Sequence, residues 1–280
     1  MKRKSPAADV VDLVDDVVVT VFVSGISFEC QLALLRRAPP GVLADMFAAD
    51  SPLATNVIVH IERYAPGFEA ALAHVRGEPV IVPVGAVRGL VAHELHYYFD
   101  EQPLLLSHAA LEWAYDVPLR TFAMGMHDAL FEHVAAQAQR VRGEKLAGQN
   151  TANRTYDEDC LDIPWCSNTY VNVRTQIAED GTSIDSVCAG ATIVAMEEYD
   201  GNELMSREQT LVSAIRADPC AARDVSDAIA WLTHATYVHV APATRSEPHE
   251  DADGWEVLVR IGYEEGSAFL ARVEDALRKS

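Results

Sequence analysis

Nowhere does the chain carry an apolar run approaching the roughly 20 residues that a bilayer span requires, so no membrane-spanning helix is expected. Cysteine is scarce and scattered. Cys30, Cys160, Cys166, Cys188 and Cys220 are odd in number and form no close pair, which argues against a disulfide framework and a C-x-x-C motif and for reduced thiols in the cytoplasm or nucleus. Positive charge is also short: 22 basic residues face 42 acidic ones, and a net charge of −20 repels phosphate backbones, so nucleic acid is not an expected partner. There is no phosphate-binding glycine loop, no G-x-S-x-G elbow and no histidine set beside a nucleophile, so neither an enzyme nor a cofactor site is expected. The opening "MKRKSPAADVVDLVDD" has the bases of a signal peptide without its apolar centre, so secretion is not expected and Asn153-Arg154-Thr155 reads as a chance glycosylation match.

What is present is a 280-residue chain that is 49% apolar, enough for one large or two ordinary domains with a real core. Residues 1–150 carry 12 basic and 18 acidic side chains (net −6), and residues 151–280 carry 10 and 24 (net −14). The composition therefore shifts near the middle. "RGEKLAGQNTANRTYDEDCLDIPW" interrupts helical patterning with polar residues, Gly148 and acids, which places a seam near 148–160.

In the first half, Val19, Val21 and Val23 alternate as in a strand, Gly25 breaks the run, and Phe28 and Cys30 resume it. The spacing predicts strands 17–23 and 26–30 with a turn at Ser24-Gly25, helix 31–37, a break at Pro39-Pro40-Gly41 and helix 41–48. Strand 57–61, helix 66–76 ended by Gly77, a short strand 79–82, helix 84–98 and helical material over 107–143 interrupted at Pro118 follow. A hairpin cannot bury itself, so Val19, Val21, Val23 and Phe28 should pack on Leu34, Leu43, Met46, Phe47, Phe68, Leu72 and Leu95.

Past the seam, alternation on both sides of Asp180-Gly181 predicts a hairpin, with a second turn at Asp200-Gly201. Helices 206–217 and 220–234, the strand "TYVHVA", an acidic loop "TRSEPHEDADG", the strand "WEVLVRIGY" and a closing helix capped by Ser267 complete an α+β half.

Taken in order, "VTVFVSGISF", "LALLRRAPPGVLADMF", "IERYAPGFEAALAHVRGEPV" and "LVAHELHYYFDEQPL" resemble a BTB/POZ domain of the potassium-channel tetramerisation type, the short form shared with the KCTD adaptors. That family reads V-x-L-N-V-G-G-x-x-F, then leucines, a proline and S-x-L-x-x-M-F, later I-D-R-D-P-x-x-F-x-x-I-L-x-x-L-R-x-G, and an E-A-x-Y-F helix. The match spans about residues 17–106; Phe22 and Ser24 replace the family's Asn and Gly, and "IERYAP" is one residue longer than I-D-R-D-P.

Patterning and resemblance together lead to the expectation of an α+β chain: an N-terminal tail 1–16 without order, a helical extension 107–148, a linker 149–160 and a small α+β domain 161–280 from the residues, and a BTB/POZ fold over 17–106 (mainly helical with a small sheet) from the resemblance. The resemblance also implies homo-oligomers of four or five subunits and, for the adaptors, engagement of cullin-3 as part of a ubiquitin ligase, with a client protein on the C-terminal domain. The surfaces it assigns are Phe47 to Pro52 and Ala86 to Pro103, which makes Phe47, Asp50, Pro52, Arg88, His96 and Phe99 the expected interface residues. Glu62 and Arg63 match the family's D-R pair near the subunit boundary. Channel members carry H-x-x-x-C-x-x-C-C zinc ligands; with no close cysteine pair, no metal is expected. The competing expectation is a structural or assembly protein that uses the module for self-association alone, with the acidity pointing to a virus.

Two local patterns invite chemistry. "HELHYYF" places His93 and His96 three apart, whereas the zinc-protease pattern needs four to aim both imidazoles at one ion, so a helix with Leu95 and Phe99 inward is expected. "EYDGNE" and "EPHEDADGWE" set carboxylates beside glycine but miss the calcium-loop register, and read as solvated turns.

Overall fold

Alternating valines build the first sheet. In the computed structural model, which describes residues 17–53, 57–147, 155–159, 169–177, 183–195, 207–243 and 255–279, β1 (Val18–Val23) and β2 (Ile26–Gln31) form an antiparallel hairpin with Val23 opposite Ile26. The loop is therefore Ser24-Gly25 alone, with φ of 46° and 85°. Positive φ at both loop positions is the turn geometry whose twist suits a two-residue hairpin. The Ser24 hydroxyl donates to the Arg63 carbonyl at 2.6 Å, which ties the turn to the chain just past β3 (Ile58–Ile61). β3 runs parallel to β1 on its other side, giving the order β2-β1-β3.

One face of that sheet is buried. Val19, Val21, Val23, Val59 and Ile61 join Leu32 and Leu35 of α1 (Leu32–Arg36), Leu43 of α2 (Val42–Met46), Phe47, Phe68 and Leu72 of α3 (Ala65–Val75) and Leu95 of α4 (Arg88–Tyr98) in one core. Phe28 and Met46 pack at its margin, while Leu34 is only half-buried, because Leu32 and Leu35 form the inward face of α1. The expected strand 79–82 is reduced to one parallel bridge, Ile81 to Leu106, with Leu106 N–H donating to the Val80 carbonyl at 2.8 Å. The last helix of this unit starts at Arg88 rather than at residue 84, since Gly85, with φ 78°, interrupts helical backbone after Pro83.

The chain divides into two compact units at Ser107/His108, not near 148–160. The reason is the apolar stripe of α6 (Val117–Leu146): Leu119, Phe122, Met126, Leu130, Val134, Ala138 and Val141 recur at three- and four-residue steps. Together with Ala114 of α5 (His108–Tyr115) they share a core with Val173, Ile177, Val187, Val259 and Ile261, so the expected helical extension is part of the second unit. Pro118 lies in the first turn of α6, where its missing N–H has no helical partner to lose.

The second unit is α+β around a five-stranded antiparallel sheet of order β4-β5-β6-β8-β7. Its strands are β4 (Thr155–Asp159), β5 (Thr169–Ile177), β6 (Ile184–Ala195), β7 (Tyr237–Ala243) and β8 (Trp255–Glu264). β4 occupies part of the expected linker. Its acids disguised it, and pairing with β5 supplies the ladder that propensity would not predict. α7 (Arg207–Ala217), α8 (Pro219–Thr233) and α9 (Ala268–Lys279) contribute Leu211, Ile215, Val225, Ile229, Phe269 and Val273 to the core. The Leu270 N–H donates to the Ser267 hydroxyl at 3.4 Å, the cap expected of Ser267. Residues 1–16, Cys160, Cys166, both expected Asp-Gly turns, "EYDGNE" and the acidic loop 244–254 lie outside the described residues. Among the described residues no helix is long and apolar enough to cross a membrane.

Candidate interaction surface

The expected surface residues separate into three groups. Phe47 and Phe99 are core side chains, 0% and 1% exposed, and the expectation that they contact a partner is corrected: the first unit needs them to fill its own interior. Phe99 takes the His74 ring edge-on at 4.8 Å between centroids, and burial pushes the His74 pKa below its ordinary value. Asp50 and Pro52 are exposed on the turn after α2, which Ser51 shapes by donating to the Met46 carbonyl at 2.7 Å and accepting from the Leu53 N–H at 3.2 Å. Glu62 and His96 are likewise exposed.

Arg63 and Arg88 form the third group, side chains bound within their own unit. Arg63 Nε and Nη2 reach the two carboxylate oxygens of Glu94 at 2.7 and 3.1 Å, a fork-to-fork pair, and the guanidinium lies 3.5 Å from the centre of the Tyr97 ring. Glu94 is nearly buried, and its hydrogen bond to Arg63 is the chief cause that raises the Arg63 pKa further. Gly67 makes this possible: a Cβ there would run into Glu94 Cβ and Cγ, so α3 and α4 touch only because that position is bare. Arg88 donates to the Leu105 carbonyl at 2.6 Å and fastens the start of α4 to the chain after it.

What sequence reasoning did not single out, although most of them lie within the expected Ala86 to Pro103 surface, are the exposed apolar side chains of this segment. Val84, Val87 and Leu90 are 89%, 58% and 49% exposed, and Tyr97 lies one heptad beyond Leu90 on α4. A run such as "VPVGAVRGL" shows its valines in sequence, but not which are left outside. Elsewhere on this unit, an open groove of about 500 Å³ is lined by Pro39, Pro40, His74, Asp100, Glu101 and Pro103. In "HELHYYF", Leu95 is buried, the Glu94 carboxylate is committed to Arg63, and both histidines face solvent.

On the second unit the sheet has a polar outer face. Register places Arg174, Cys188, Gly262 and Tyr237 in one row, and Asn172, Gly190, Arg260 and His239 in the next. Tyr237 lies across Gly262, where any Cβ would strike its ring, and its hydroxyl donates to Cys188 Sγ at 3.1 Å. That bond, with partial burial, pushes the Tyr237 pKa up to about 12. Compared with known proteins, the chain matches no family model and no curated protein.

Proposed function

We propose that this chain is a non-enzymatic protein-interaction scaffold whose first unit self-associates as a BTB/POZ-type module. One observation carries the reading: the four sequence runs that resemble the family come together around one core, and the same unit keeps Val84, Val87, Leu90 and Tyr97 outside it. Exposed apolar side chains this close together in the chain suit a protein contact better than solvent. The polar outer sheet face of the second unit, centred on Arg260 and His239, is the candidate client surface. Such a scaffold acts by proximity, turning weak contacts into avidity without chemistry of its own. Scattered cysteines without close pairs support a cytoplasmic or nuclear location, and cullin-3 is the ligase partner that the resemblance implies.

Mass in solution tests the reading. A closed assembly of four or five chains is expected, and a stable monomer at about 100-fold above a micromolar dissociation constant rejects it. The double variant Val87→Glu, Leu90→Glu alters exposed side chains alone, so it should yield monomers that still unfold cooperatively, with a melting temperature lowered only by the lost association. Cullin-3 that fails to co-purify at micromolar protein removes the ligase part and leaves self-association standing.

A further inference from the structure

We propose that His127 is a proton-operated latch for α9: neutral, it holds the first turns of that helix against α6 and β8, and charged, it lets them go. His127 projects from α6 into the interior of the second unit and is 6% exposed. Its ring meets Phe269 edge-on at 5.1 Å and Tyr263 at 6.0 Å, and those two rings stack on each other at 4.0 Å. Both ring nitrogens are engaged. Nδ1 lies 2.9 Å from the Tyr263 hydroxyl, and Nε2 lies 3.3 Å from Arg272 Nη1 on α9.

Donor and acceptor counting fixes the tautomer. A guanidinium has only N–H groups to offer, so Nε2 must accept and the proton must sit on Nδ1. Nδ1–H then donates to the Tyr263 oxygen, and the Tyr263 hydroxyl in turn donates to the Thr233 carbonyl at 3.5 Å. The chain Arg272, His127, Tyr263, Thr233 is satisfied by a neutral imidazole and by no other form. A second proton would go on Nε2, where it faces the Arg272 cation and removes the only acceptor in that contact.

Most of the influences on His127 act in one direction. Burial is the largest influence and disfavours its charged form; Arg272 on α9 and His234 at the end of α8 act the same way, and Asp128 on α6 opposes them. Tyr263 on β8 is held neutral by its own burial, with a pKa of about 12. A histidine whose folded pKa is lowered binds fewer protons than its released form. Stability is therefore full above about pH 6.5 and falls as pH drops from there toward the folded value. The far end of α9 is held independently of pH by the buried Leu277 and by Arg142 Nη1 donating to the Leu277 carbonyl at 2.9 Å, so acid loosens the first turns rather than the whole helix.

Hydrogen exchange of the full chain between pH 7.5 and 5.5, corrected for intrinsic rates, tests this. Protection of the amides at 271–273 should fall by up to about tenfold per pH unit below pH 6.5. In His127→Gln, which cannot take up the proton, that slope should be lost; equal slopes in both proteins overturn the proposal. Arg272→Gln alters an exposed side chain and should let His127 take up its proton at higher pH, which remains informative if His127→Gln fails to fold; an unmoved titration counts against the latch. On the unaltered chain, nitrogen-15 spectra should show His127 protonated at Nδ1 at pH 7.5, and an Nε2-protonated ring overturns the latch.

Discussion

Gly41 shows how one residue can be demanded by a contact far along the chain. Its φ of 143° and ψ of −174° belong to glycine almost alone, and a Cβ there would run into the Tyr98 carbonyl oxygen and lie 2.7 Å from Phe99 Cα. The Asp100 N–H donates to the Pro40 carbonyl at 3.0 Å, so this break between α1 and α2 is clamped to the end of α4. Gly41→Ala should therefore destabilise the first unit by about 2–4 kcal/mol, from forbidden backbone and overpacking together. Urea unfolding checks this, and a loss below about 0.5 kcal/mol would mean that the end of α4 yields freely. "APPG" was readable as a helix break; its role as a packing point was not, because nothing local brings Gly41 to Tyr98. Arg63 makes the same point. The resemblance set it at a subunit boundary, whereas Glu94 and Tyr97 occupy its guanidinium from within.

At the level of elements, a side-chain cap fixes where α8 begins. Asp218 stands before Pro219 with extended backbone and accepts from the Cys220 N–H at 2.8 Å, so it satisfies one orphan donor of α8. Asp218→Ala should cost the second unit about 1 kcal/mol, while Asp218→Asn, which caps equally well, should cost little; thermal unfolding of both variants decides. Equal losses in the two would place the effect in charge rather than in the cap. Strong period made most elements legible, including the β1–β2 hairpin, α6, α8, β8 and α9. The failures share a cause. "TYDED" lacks strand propensity, and "PVIV" has it but meets only Leu106, so in both cases a neighbouring segment decided the outcome.

For the molecule as a whole, the unit boundary makes the sharpest prediction. Fragments 1–107 and 108–280 should each fold alone with cooperative unfolding, since each has its own core. A fragment starting at residue 149 should not, because it leaves Val173, Ile177 and Val187 without Phe122, Met126, Leu130 and Val134. Circular dichroism and denaturant titration of the three fragments settle it, and a cooperatively folded 149–280 fragment would return the boundary to the composition shift. Charge changes near the middle of the chain because the acids gather there, not because the fold divides there.

Period, turn residues and composition thus decided on their own that this protein is α+β, that a valine-rich hairpin over 17–30 feeds short helices, and that helical material occupies 107–143. Those properties depend on neighbours within a few residues. Tertiary structure alone decided that α6 belongs to the second unit, that Phe47 and Phe99 are core rather than surface, that Arg63 is matched to Glu94, and that His127 meets Arg272 and Tyr263. Each of those rests on residues far apart in sequence, 31 positions for Arg63 and Glu94 and 136 and 145 for His127 with Tyr263 and Arg272, meeting in a packed interior, and no local pattern records which buried partner a side chain will find.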